Sequence, residues 1–273
     1  MVAIKLNAFG GTIPSTDDRL LPDNMAAYAQ NAWLYSGLLQ GFRSPKLLHT
    51  CASATTKRVY RIPKQYVDQD HMADSYWLEF PYKDVDVIHT PTANDSYERY
   101  YWAGDPGGGV TFVPQYNTMA RIAAGSPAFK LGVPAPTVAP GVTHSGGSGP
   151  AVSRSYVYTW VTAYGEEGPP SPPTVYSANI NATWNITLTA PTSGDTTGRN
   201  LSTVRIYRTI TSTAGVATYF LVTELSNTVT AYNDTALDSA ISGNNQLQST
   251  NWTAPPSDLK GMTSMSNGMV IGF

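Results

Sequence analysis

The chain is poor in cysteine, in charge and in long apolar runs, and each shortage excludes a class of protein. Its single cysteine, Cys51, rules out an internal disulfide framework in the 273 residues. Charged residues make up 13%, about half the usual ~25% for soluble domains. The net charge of −2 leaves nothing that steers the whole molecule toward nucleic acid or an anionic membrane. No apolar run approaches the roughly 18–20 residues of a transmembrane helix. The start, Met1 to Phe9, lacks the basic residues and long apolar core of a signal peptide. Synthesis in a reducing cytosol, without membrane insertion, is the expectation. Six Asn-x-Ser/Thr triplets, at Asn94, Asn181, Asn185, Asn200, Asn233 and Asn251, then read as by-products of Thr- and Asn-rich strands and turns.

What is abundant points to short strands. Gly (23) and Pro (20) supply turns, and 17 Tyr, 6 Trp and 7 Phe supply apolar mass for a core. The expected class is all-β. Residues 1–50 read as an extended arm with a flexible Phe9-Gly10-Gly11 joint. Its one short helix is expected over Met25–Trp33, capped by Asp23 or Asn24. Residues 51–130 read as an antiparallel β-region, part of a propeller or sandwich, with strands over 57–62, 75–80, 84–88, 97–102 and 110–113. Residues 131–150 read as a Pro/Gly linker. Residues 151–248 read as a compact β-domain, where Tyr156, Tyr158 and Trp160 alternate onto one face and Trp184, Ile186 and Leu188 share another. Residues 249–273 read as a linker and the first strand of a return into the β-region. Because the sequence stops on the apolar stretch Gly268–Phe273, a longer polypeptide is expected.

No pattern in the chain carries catalysis. Gly104-Asp-Pro-Gly-Gly-Gly109 lacks the Gly-Lys-Ser/Thr of a phosphate loop and reads as a turn. His49, His71, His89 and His144 are scattered, and Asp68, Asp70 and Asp74 beside His71 lack the register of a calcium loop. Cys51 near His49 reads as structural, and Gly146-Gly-Ser-Gly149 sits in the linker without a rigid scaffold for a nucleophile. Glu166-Glu167 and Asp84/Asp86 read as solvated turn charge rather than a glycosidase pair. Tyr97, Tyr100, Tyr101 and Trp102 could stack on sugars, but in strands such residues usually fill cores or interfaces. No enzyme, cofactor or metal is expected.

Two resemblances go further. Tyr156-x-Tyr-x-Trp160, Gly165-Glu-x-Gly-Pro-Pro-Ser171, Arg205-Ile-Tyr-Arg-Thr209 and Tyr232-Asn-Asp-Thr235 resemble the fibronectin type III and immunoglobulin-like sandwiches. Their order differs from the usual module, so a permuted or inserted sandwich is expected. The arm motifs Phe9-Gly-Gly-x-Ile-Pro14, Asp18-Arg-Leu-Leu-Pro-Asp-Asn24, Asn31-Ala-Trp-Leu-Tyr-Ser-Gly37 and Leu39-Gln-Gly-Phe-Arg-Ser-Pro45 resemble the opening of tailed-bacteriophage virion proteins of the podovirus tail-nozzle or tail-tubular kind. Trp77-Leu-Glu-Phe80, Asp95-Ser-Tyr-Glu-Arg-Tyr-Tyr-Trp102 and Leu131-Gly-Val-Pro-x-Pro136 are similar to the same group.

The resemblance implies a structural subunit of the virion, assembled in the host cytoplasm as a ring of its own copies around the DNA channel. Implied partners are the portal or adaptor, tail fibres or other tail proteins, and genomic DNA passing without sequence recognition. Arg19, Leu20, Leu21, Pro22, Trp33, Phe42 and Arg43 are the expected interface. A glycan-binding, adhesin-like module and a tail-associated depolymerase remain the alternatives.

Overall fold

The computed structural model describes residues 8–33, 40–41, 44–63, 75–210 and 218–273. Among the described residues strand occupies 39% and helix 9%, which makes the fold all-β. Two compact units are distinguished, Met1–Thr50 and Cys51–Phe273.

The described residues of the first unit form four two-residue strands: β1 (Gly11–Thr12), β2 (Met25–Ala26), β3 (Ala32–Trp33) and β4 (Gln40–Gly41). β1 pairs with β2 in parallel, and β3 with β4 antiparallel. The helix expected over Met25–Trp33 is not formed. Asp23 and Asn24 are instead the centre of a turn closed by Met25 N–H donating to Pro22 O at 2.9 Å. The next backbone groups are captured across the unit: Gly10 N–H donates to Asn24 O and Ile13 N–H to Ala26 O. Asn31 then adopts a φ of +55°, which ends any helical run. A nine-residue helix with no packed face is marginal by itself, so these cross-connections prevail.

The second unit begins with the hairpin of β5 (Arg58–Pro63) and β6 (Ser75–Phe80). A four-stranded meander follows: β7 (Asp84–His89), β8 (Arg99–Asp105), β9 (Gln115–Thr118) and β10 (Phe129–Lys130), in the order β10-β9-β8-β7. The short helix α1 (Met119–Ala123), capped by the Thr118 hydroxyl, links β9 to β10. Val110–Val113, expected as a strand, is irregular, because three successive glycines with positive φ (Gly107, Gly108, Gly109) carry the chain past the hairpin register. Ile62, Phe80, Val85, Tyr100 and Trp102 form the core between hairpin and meander.

Seven further strands make the sandwich. One sheet orders β11 (Gly141–Ser145), β14 (Thr183–Thr187) and β17 (Ala231–Asp234). The other orders β13 (Thr174–Asn179), β12 (Ala151–Thr162), β15 (Leu201–Ile210) and β16 (Thr218–Ser226). Helix α2 (Ser193–Arg199) precedes β15, and α3 (Asp238–Ile241) follows β17. The core takes side chains from both sheets: Val142, Tyr156, Tyr158, Trp160, Ala178, Trp184, Ile186, Val204 and Ile206. The expected 131–150 linker therefore contains a sandwich strand. β11 hides in a Pro/Gly-rich stretch because only Val142 of its five residues is buried.

The edge of β16 is covered over Tyr219–Leu221. Leu221 N–H donates to Asn245 O, Leu247 N–H donates to Tyr219 O, and Phe220 bridges Gln246. No backbone pairing on the outer side of β13 is found among the described residues. After the sandwich, β18 (Thr263–Ser264) and β19 (Val270–Ile271) form a hairpin. Met262 is buried against Ile88 and Ala103 of the meander, with Leu259 packed beside it. The sandwich is thus inserted between the meander and the segment that returns to it.

Candidate functional site

The turn between β12 and β13 does far more than reverse the chain. Its residues run along the outer edge of β12: Gly168 N–H donates to Trp160 O and Ser171 N–H to Tyr158 O. Pro169 and Pro170 sit between these bonds, where no N–H is needed. This path throws Tyr164 and Glu166 onto the meander. The Tyr164 ring lies 4.5 Å from that of Tyr97, 6.3 Å from Tyr116 and 6.4 Å from Phe129. Glu166 Oε1 accepts from Arg99 Nη1 at 2.5 Å, and its Oε2 accepts from the Tyr116 hydroxyl at 3.3 Å. Arg99 Nε in turn donates to Asp95 Oδ2 at 2.8 Å.

Burial raises the Asp95 pKa, but the Arg99 guanidinium and the backbone N–H groups of Tyr97 and Arg99 hold it below its ordinary 3.8 overall. The stability it contributes is complete above that value and lost as pH falls through the lowered one. Burial, then Glu166, push the Tyr116 hydroxyl up, so it stays a donor. A second clasp lies alongside, where Arg199 Nη1 donates to Leu131 O at 3.1 Å and Gly132 O at 2.5 Å. Gly168 is required there, since a Cβ would stand 2.6 Å from Val133 Cγ1. The sandwich is therefore docked on the meander. Glu166→Ala is expected to loosen that dock. Limited proteolysis within residues 131–140 should accelerate about fivefold, matching ~1 kcal/mol for a partly exposed charged pair.

Glu167 turns the opposite way, over the outer face of the sandwich. Its Oε1 accepts from Thr159 Oγ1 at 2.6 Å and the Tyr207 hydroxyl at 2.7 Å, and its Oε2 from Arg205 Nη1 at 2.9 Å. Arg205 Nε donates to Glu224 Oε2 at 2.7 Å. Burial, followed by the Glu167 carboxylate, raises the Tyr207 pKa. The expectation that Glu166 and Glu167 are solvated turn charge is corrected. Both are anchored cross-links, and their arginine partners lie too far off in sequence to be seen from the turn itself.

A third carboxylate set is buried inside the sandwich. Arg208 Nη1 donates to Asp234 Oδ2 at 2.5 Å, with both side chains 0% exposed. The Tyr156 hydroxyl donates to the same oxygen at 2.8 Å. Asp238 Oδ1 accepts from Arg208 Nη2 at 2.8 Å and Arg154 Nη2 at 2.9 Å. Asp84 and Asp86 are placed differently. Asp84 is exposed and faces Asp105 across the β7–β8 pair, where Lys260 joins Asp105, while Asp86 Oδ2 accepts from Met262 N–H. Apart from the exposed Asp84, the carboxylates of these sets are held by cations, hydroxyls or backbone N–H groups of the chain itself.

A groove of about 320 Å³ opens between the β5–β6 hairpin and the meander. Trp77, Phe80 and Tyr82 line it from the hairpin side, Trp102, Gln115 and Asn117 from the meander, and Ile122, Gly125, Ser126 and Ala128 complete the lining. Trp102 and Gln115 are cross-strand partners, and Trp102 Nε1 donates to Gln115 Oε1 at 3.1 Å. The sequence did not mark this groove, because its walls come from four separate stretches.

The residues singled out from the sequence are placed as follows. Tyr100 and Trp102 are core, at 7% and 4% exposure, and Tyr97 packs on Tyr164. His144 Nδ1 bonds the Tyr176 hydroxyl at 3.1 Å, and the His89 ring packs on Tyr100. Cys51 is free and exposed. Arg19, Leu20 and Pro22 are exposed and Leu21 half-buried, around a turn in which Leu20 N–H donates to Asp17 O. The Trp33 side chain, Phe42, Arg43, and the stretch with Asp68, Asp70, His71 and Asp74 lie outside the described residues. No protein-family model matches the chain, and no curated protein matches it.

Proposed function

We infer that this chain is a non-catalytic structural subunit of a tailed-bacteriophage virion, at the tail or neck. The observation that carries the reading is a set of strongly exposed apolar side chains in both units. In the first unit these are Leu20 at 76%, Tyr28 at 75% and Leu47 at 79% exposure. In the second, Met265, Met269, Val270, Ile271 and Phe273 are all exposed. On a chain with so few charges, such surfaces suit burial against neighbouring subunits. The anchored state of Glu166, Glu167, Asp234 and Asp238 supports a load-sharing role over an acid–base one, since a general acid needs a proton to exchange with substrate.

In this reading copies form a ring around the DNA channel, below a portal or adaptor, with the arm packing on the next copy. The four-stranded meander has the form of a propeller blade. The sandwich, clasped by Arg99–Glu166 and Arg199, holds a fixed attitude in which its far sheet can receive a fibre or another tail protein. Mass spectrometry of purified virions should find the chain, and light scattering should show concentration-dependent oligomers of the isolated protein. A stable monomer at high concentration, together with absence from virions, overturns the reading.

A further inference from the structure

We propose that the groove between the β5–β6 hairpin and the meander is a binding site for a neutral pyranose, at the end or within a glycan chain. Its volume of about 320 Å³ falls at the lower end of ligand sites and suits one or two sugar rings. The chemistry of the walls selects the class. Tyr82, half-buried, gives the groove aromatic surface of the kind that covers the C–H face of a sugar, and Trp77 lines the same groove.

Two donors accompany these rings. Gln115 Oε1 is occupied by Trp102 Nε1–H, which fixes the amide so that its NH₂ keeps two hydrogens, and these have no partner among the described residues. The Tyr82 hydroxyl likewise has none among them, and burial pushes its pKa up to about 12, so it remains an O–H donor at every physiological pH. Among the described residues no lysine or arginine lines the groove, so there a phosphate, sialic acid or uronate would meet no counter-charge. The one carboxylate present, Glu79, already accepts from Ala52 N–H and the Thr56 hydroxyl. Asn117 is internally satisfied, by Ser126 O, Thr118 N–H and Arg121 Nε. What remains is a neutral ligand with an apolar face and oxygen acceptors. This site stands apart from the virion reading and does not rest on it.

The test is a titration of the full chain followed by tryptophan fluorescence, since Trp77 and Trp102 both report on the groove. The probes are cellohexaose, maltohexaose and chitotriose as neutral glycans and polygalacturonate as the anionic one. At least one neutral probe is expected to bind. Tyr82→Phe and Gln115→Met are each expected to weaken it about three- to tenfold, the effect of removing one neutral donor, and Trp77→Ala should weaken it further. Tyr82→Phe leaves the ring packing on Phe80 and Phe112 in place, so a loss of binding at unchanged Tm reads the hydroxyl alone. The proposal is overturned if no neutral probe binds up to about 10 mM. It is equally overturned if polygalacturonate binds as tightly, or if Tyr82→Phe and Gln115→Met both bind like the parent chain.

Discussion

Replacing Asp234 by alanine is expected to lower the stability of the sandwich by about 3–5 kcal/mol, the usual loss when one partner of a buried ion pair is removed. The reason lies in what is left behind. Arg208 stays fully buried, and the Tyr156 hydroxyl loses the acceptor it shares with it. Asp238 and Ala236 O still hold Arg208 Nη2, but Asp238 is partly exposed and cannot replace a carboxylate enclosed at 2.5 Å. Arg208 Nε already has no partner among the described residues, so the site has no slack for a second unmet donor. Urea unfolding followed by circular dichroism should show a lower midpoint at nearly unchanged slope. Replacing Asp234 and Arg208 together by apolar residues of similar volume should recover most of the loss. If Asp234→Ala alone moves the midpoint by less than the equivalent of about 1 kcal/mol, the ion pair is not the organising contact of that interior.

Trp184→Ala should have an effect of similar size by a different route. The indole is 0% exposed at the centre of the larger core, 6.0 Å from the Tyr156 ring and 6.2 Å from that of Tyr176, with the Arg154 guanidinium 4.7 Å above it. Emptying that space is expected to lose about 3–5 kcal/mol, the transfer and cavity contributions together. Trp184→Phe separates shape from polarity. Trp184 Nε1 has no hydrogen-bond partner among the described residues, so deleting that N–H relieves an unmet buried donor while keeping an aromatic ring under Arg154. A loss of about 1–2 kcal/mol is expected for phenylalanine, and calorimetry of the three proteins would rank them. A phenylalanine variant as unstable as the alanine one contradicts the view that filling the space is what Trp184 contributes.

Several strands that alternate over a packed face were legible in the sequence, while β13 (Thr174–Asn179), which also alternates, and the weakly buried β11 were missed. Ser75–Phe80 is bounded as expected, and Tyr156, Tyr158 and Trp160 do share the inner face of one strand. Gly141–Ser145 escaped because one buried valine is too little signal among glycines and prolines. The helix expected over Met25–Trp33 failed because local composition was set against backbone partners at Gly10 and Ile13, which no window around residue 25 contains. The acidic turn shows the same limit more sharply. Glu166 finds Arg99 67 residues upstream, and Glu167 finds Arg205 38 residues downstream. The groove combines β6, β8, β9 and the residues after α1, so only the assembled fold brings Tyr82, Trp102 and Gln115 together.

The covered edge of β16 limits how the protein can misassemble. A sheet polymerises when each newcomer offers a fresh edge to the next. Here Asn245–Leu247 pairs with Tyr219–Leu221 of β16, so part of the far side of the four-stranded sheet is already occupied when β13 recruits a strand. Two copies meeting through β13 would pair about a two-fold axis and use up that edge in both. At the concentrations reached inside an overexpressing cell, that pairing favours a closed dimer over growth from β13.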